Sequence, residues 1–124
     1  MTSVRDIGYF RELPHGDAEG PSLAEAQGEL AEEFVTIAAE YLKNGSVVAA
    51  ASGYAFDELA PDRPEIAPLS ILTDGKWSWP SDLSYYVRKY RIGLPKEFLQ
   101  HAAARGWRVQ NLTQAELEEI SENM

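Results

Sequence analysis

Residues 69–79, LSILTDGKWSW, constrain this chain more than any other stretch. Two β-prone runs flank Asp74-Gly75. That pair tolerates the positive φ needed at both centres of a type I′ turn, so a tight hairpin is predicted. Side chains alternate along a strand, so Trp77 and Trp79 share one face and Ser78 takes the other. Rings of this size each bury ~150–250 Å² and anchor a small core, so both tryptophans are expected inside. Pro80 closes the strand and the pattern turns helical. Leu83, Tyr86, Val87 and Tyr90 make an apolar stripe, with Ser81 as the expected N-cap and Asp82 at the positive helix end. Arg88, Lys89 and Arg91 fill the last turn, and Gly93 ends it. Adjacent helical residues diverge by about 100°, which leaves Tyr85 at the stripe's edge beside Arg88 and Lys89.

The clearest further helix spans 22–43. Ser22 and Glu25 form a capping-box pattern after Pro21. Leu23, Ala26, Leu30, Phe34, Ile37, Ala38, Tyr41 and Leu42 then recur at three- and four-residue steps as one buried stripe. Glu25, Glu29, Glu32, Glu33 and Glu40 occupy the other side. Gly28 weakens the middle by about 1 kcal/mol and allows a break there. Asn44-Gly45 is the expected left-handed stop. Residues 46–52 read as a buried strand, 57–59 as a turn of helix and the proline-rich 60–68 as a loop. A helix opening at Pro95 runs to Gly106, and 107–109 reads as a short strand. Thr113 and Glu116 cap a short acidic C-terminal helix within 113–124, whereas 1–21 is irregular, with a short strand or turn in 6–13. These elements predict one α+β domain over 1–124: a small antiparallel or mixed sheet of three to five strands, with helices packed on one face.

Composition removes whole classes of chemistry. There is no cysteine, hence no disulfide, thiolate metal site or cysteine nucleophile. His15 and His101 stand in no metal-ligand spacing, and no G-x-S-x-G, P-loop, G-x-G-x-x-G or H-E-x-x-H pattern occurs. No catalytic residue, metal site or cofactor is assigned. The N-terminus lacks a signal-type apolar stretch and no run approaches the ~20 residues that span a bilayer, so a cytoplasmic protein without membrane association is expected. The net charge is −9, unevenly spread. Residues 1–75 carry fourteen acidic against four basic side chains, 76–112 seven basic against two acidic, and the tail four glutamates.

The run Ile71-Leu72-Thr73-Asp74-Gly75-x-Trp77-x-Trp79-Pro80-x-Asp82-Leu83-x-Tyr85-Tyr86-Val87-x-x-Tyr90 follows Tyr41-Leu42 and Gly45 and precedes Leu94-Pro95-x-Glu97-Phe98-Leu99. Over roughly residues 20–107 this pattern resembles a family of small uncharacterised actinobacterial proteins, with similar segments in other Gram-positive chains. Proteins that look like this sometimes accompany the neutralising partners of bacterial toxins. The resemblance implies an immunity-type setting and carries no activity onto any residue.

The leading functional expectation is a protein-interaction module, an immunity-like or inhibitory binder of a basic partner. Negative charge steers such a partner and raises its association rate. The expected contact residues are Glu25, Glu29, Glu32 and Glu33, with Tyr85 and Arg88 as aromatic and basic anchors. An alternative is a small-ligand binder or enzyme with a pocket near the 71–90 hairpin–helix unit. A third is a nucleic-acid accessory domain using Arg88, Lys89, Arg91 and Lys96, which ranks lower because upstream carboxylates oppose a continuous basic track.

Overall fold

A computed structural model describes residues 4–123. Among these, four strands form one mixed sheet: β1 (Arg5–Asp6), β2 (Ser46–Phe56), β3 (Glu65–Thr73) and β4 (Trp77–Pro80). Their order is β1-β4-β3-β2, with β1 parallel to β4 and the other pairs antiparallel. Five helices accompany it: α1 (Leu23–Ala26), α2 (Glu32–Lys43), α3 (Leu83–Tyr90), α4 (Lys96–Ala104) and α5 (Gln114–Glu122). The chain is an α+β fold with a small mixed sheet, as the sequence pattern indicates.

The hairpin forms where the turn residues place it, but by another device. Thr73 pairs with Ser78, and only Gly75 of the turn has positive φ, at 100°. Asp74 keeps a negative φ and instead turns its carboxylate back on the loop, accepting from the N–H groups of Lys76 (2.9 Å) and Trp77 (2.8 Å). The I′ expectation is therefore corrected: a side-chain cap replaces the second left-handed residue.

Trp77 and Trp79 are 5% and 0% exposed and face α4, where Phe98 meets them edge-on at 5.5 and 5.7 Å. Trp79 also donates its indole N–H to the Leu42 carbonyl at 2.9 Å, a stronger partner for that acceptor at the end of α2 than the Gly45 N–H at 3.4 Å. One ring thus joins sheet to helix by packing and by a hydrogen bond. Gly45 is not left-handed, contrary to expectation. A Cβ there would lie 2.7 Å from the Trp79 ring, so glycine is required for close approach.

Further corrections follow from tertiary context. β3 begins inside the expected loop 60–68, at Glu65, and includes Pro68. β4 pairs only with 71–73, so β3 is an edge at Pro68, where proline is tolerated. Ser81 does not cap α3. Its hydroxyl accepts from Ser70 N–H and donates to the Pro68 carbonyl, extending the β3–β4 stitching, and Asp82 takes the N-cap position. Residues 107–109 form no strand. Trp107 is left-handed (φ 59°), donates its N–H to the Ala102 carbonyl, and turns its ring toward Tyr41 and Phe34.

Candidate functional site

The expected 22–43 helix divides at residues 27–31, and that division builds a groove. Gly28 N–H donates to the Tyr90 carbonyl and Leu30 N–H to that of Arg91, while Gly93 N–H returns to the Ala26 carbonyl. Arg91, left-handed at φ 52°, sends its guanidinium to the Leu30 and Gly28 carbonyls. These bonds to the end of α3 replace the helical ones that 27–31 gives up. Across the opening runs the N-terminal loop, tied to α1 by Glu12. Its carboxylate accepts from Leu23 and Ala24 N–H and from the Ser22 hydroxyl. Burial pushes the Glu12 carboxyl up, but those three donors outweigh it and hold the group below the ordinary range.

The resulting open groove encloses about 1090 Å³ between the 6–22 loop, 25–34 and 93–99. Ile7, Phe10, Ala26 and Leu30 make a buried apolar floor, with Leu94, Leu99 and the 39%-exposed Phe34 along one wall. Its charged residues are Asp6, Asp17, Glu25 and Glu29 against Arg11, and His15 also lines it. Glu25 is open to solvent, with Arg11 only loosely placed at 3.8 Å. Phe34 and Ile37 are exposed, so the expected stripe is buried only in part.

At the groove's margin His15 lines both this space and a smaller cavity of about 230 Å³. Behind it lies Asp82, fully buried, its Oδ2 3.0 Å from His15 Nε2. The direction of that contact is not that of a hydrogen bond, and neither Asp82 oxygen has another partner among the described residues. Nearby, burial and the charges of Asp6 and Asp82 push the Tyr9 hydroxyl up to about 12.

Two other buried carboxylates are fully engaged. Asp74, beyond its turn contacts, accepts from the Tyr41 hydroxyl (2.5 Å) and lies 2.8 Å from His101 Nε2. Burial, and then the Asp74 carboxylate, push the Tyr41 hydroxyl well above its usual value, so it stays a proton donor. Asp57 accepts from the Tyr85 (2.8 Å) and Tyr90 (2.7 Å) hydroxyls, Lys89 Nζ (3.3 Å) and the N–H groups of Leu59 and Ala60. Burial raises its carboxyl, but the Tyr90 and Tyr85 hydroxyls lead the donors that hold it below the ordinary range. The 57–59 segment is accordingly a capped turn rather than helix. Neither cluster adjoins the groove, and both tie the sheet to the helices.

Of the expected contact residues, Glu25 and Glu29 line the groove, while Glu32 and Glu33 stand exposed at the start of α2 beside it. Tyr85 and Arg88 lie apart on α3, the first bonded to Asp57 and the second paired with Glu40 at 2.7 Å. The basic run is largely matched by acids: Arg88 with Glu40, Lys89 with Asp57, and Arg91 with Glu32 at 3.6 Å. Neither of these two cavities takes a lining residue from 71–90, the unit near which the alternative reading expects a pocket. Sequence reading missed Asp82 and His15 as a pair; a histidine in a loop rich in turn residues was the only available signal. Among the described residues no group of three or more His, Asp or Glu is placed to hold a metal ion, and no helix is long and apolar enough to cross a membrane. No family model, curated protein or solved structure matches the chain.

Proposed function

We propose that this chain is a cytoplasmic protein-interaction module whose groove receives a basic, apolar-anchored segment of a partner protein, as an inhibitory or immunity-type binder. One observation carries the reading: an apolar floor and a largely acidic rim occur together in a concave space of about 1090 Å³. Burial of apolar anchors supplies affinity, and the rim selects positive flanks and speeds encounter. The net charge of −9 and the resemblance to toxin-associated proteins support the same partner chemistry.

The test uses a blocked Leu-Lys-Leu-Leu-Lys-Leu peptide titrated into ¹⁵N-labelled protein. Amide shifts are expected over 25–34 and 93–99, with affinity falling as salt rises. Glu25→Lys with Glu29→Lys is expected to weaken binding about tenfold and flatten the salt response. Arg88→Ala in parallel reads whether α3 takes part. Shifts confined elsewhere, or equal binding of a peptide with glutamate in place of lysine, refute the reading.

A further inference from the structure

Asp82 is the chain's outstanding electrostatic irregularity. An ionised carboxylate removed from water needs donors, and the other two fully buried aspartates have four or more each. Asp82 has none correctly aimed, although its environment is as closed as theirs. Its place at the start of α3 supplies a favourable dipole, but no α3 N–H is bonded to its side chain. That attraction is smaller than the cost of burying the charge. His15 Nε2 stands 3.0 Å from its Oδ2, on a loop that also forms the groove wall.

We propose that Asp82 is a guanidinium subsite: an arginine side chain of the groove's occupant displaces the His15 ring and forms two parallel hydrogen bonds to Asp82. Neither carboxylate oxygen holds a hydrogen bond among the described residues, and a pair of acceptors matches the planar fork of arginine better than the point charge of lysine. Asp6 also lines the groove, and both it and Asp82 raise the Tyr9 hydroxyl, so Asp6 adds negative potential nearby. The imidazole lines the groove beside Asp82 and moves aside for the arginine. This subsite rests on the groove reading, because the arginine is carried by the segment bound there.

The test compares three blocked pentapeptides, Leu-Leu-X-Leu-Leu, with X as arginine, lysine or citrulline, the last being the neutral isostere of arginine. Wild-type protein is expected to favour arginine over citrulline by at least about tenfold, with lysine between them. Asp82→Asn is expected to abolish that preference while leaving the citrulline peptide's affinity unchanged. His15→Ala is expected to keep or enlarge it. The Asp82 carboxyl carbon resonance should move on adding the arginine peptide and stay still with citrulline. Because Asp82→Asn removes an unpaired buried charge, it is expected to fold, and His15→Ala provides a second reading should it not. A preference that survives Asp82→Asn, or arginine and citrulline binding equally to wild type, overturns the subsite. If no peptide binds, the groove reading fails, and blocked arginine monomer at millimolar concentration decides the subsite. Movement of the Asp82 resonance upholds it, and an unmoved resonance overturns it.

Discussion

Replacing Asp74 by alanine should cost this domain a large part of its stability. The Asp74 carboxylate serves four donors: Lys76 N–H, Trp77 N–H, the Tyr41 hydroxyl and His101. Two of these, on Trp77 and Tyr41, belong to residues 5% and 1% exposed, so water cannot replace the lost acceptor. A buried donor left unsatisfied costs about 1–3 kcal/mol, which puts Asp74→Ala at about 2–6 kcal/mol. Lys76 is an exposed residue whose N–H can meet solvent and adds little, and the His101 side chain, 19% exposed, keeps partial access to water. Set against the ~5–15 kcal/mol of a typical domain, that loss brings the protein near its unfolding threshold. Asp74→Asn separates turn from network. Its amide oxygen still caps the two turn N–H groups, and its NH₂ faces a tyrosine hydroxyl and an imidazole that can both reverse to accept. The expected cost is therefore smaller, about 1–2 kcal/mol. Urea unfolding followed by tryptophan fluorescence measures both, with Tyr41→Phe closing a double-mutant cycle. A loss below ~1 kcal/mol for Asp74→Ala, or equal losses for alanine and asparagine, would refute the assignment of the carboxylate as the turn's keystone.

Trp77→Ala and Trp79→Ala should each cost about 3–5 kcal/mol in the same assay. Trp79→Phe should retain most packing yet lose about 0.5–1.5 kcal/mol with the indole's hydrogen bond to the Leu42 carbonyl, which keeps the longer Gly45 N–H contact, so a neutral Trp79→Phe contradicts the bonded role of the indole. Asp57 predicts acid sensitivity. Its carboxyl is held below the usual value, so the stabilisation is present above the unfolded pKa of ~3.9 and disappears as pH falls through the lower folded value. Asp57→Asn should flatten the decline in unfolding free energy below pH ~4. An unchanged slope counts against the Tyr85–Tyr90–Lys89 cluster as its origin.

What was legible in the sequence was local and covalently short-ranged. Asp74-Gly75, the two-residue spacing of the indoles and the 83–90 stripe each encode their geometry within a few residues, and each element formed. Thr113 with Glu116 likewise closes a full reciprocal capping box at α5. The failures share one cause: a contact made from far along the chain outbid local propensity. Residues 27–31 had apolar spacing suited to helix, but the Tyr90 and Arg91 carbonyls capture their N–H groups. Pro68 argued for a loop, but β4's shortness leaves an edge that accepts it. Trp107 had the β-propensity of its type, yet two aromatic rings and the Ala102 carbonyl draw it into a left-handed turn.

The groove escaped sequence reading for the same reason, and charge shows how far composition can carry. The excess of carboxylates motivates the proposal of a cationic partner, but their number overstates the surface left to meet one. Glu40 and Glu32 lie against Arg88 and Arg91 across the α2–α3 seam, and Asp57 is buried among tyrosines and Lys89. Glu25 and Glu29 on the rim and Glu33 beside it remain to act over distance. A rim this sparse steers a positive segment without fixing its register. Register requires a short-range, directional contact, and the unmatched carboxylate of Asp82 behind His15 is where such a contact has acceptors waiting. On the proposed reading, diffuse charge would set which partners approach, and one buried group without a hydrogen bond would set which residue of the partner is held.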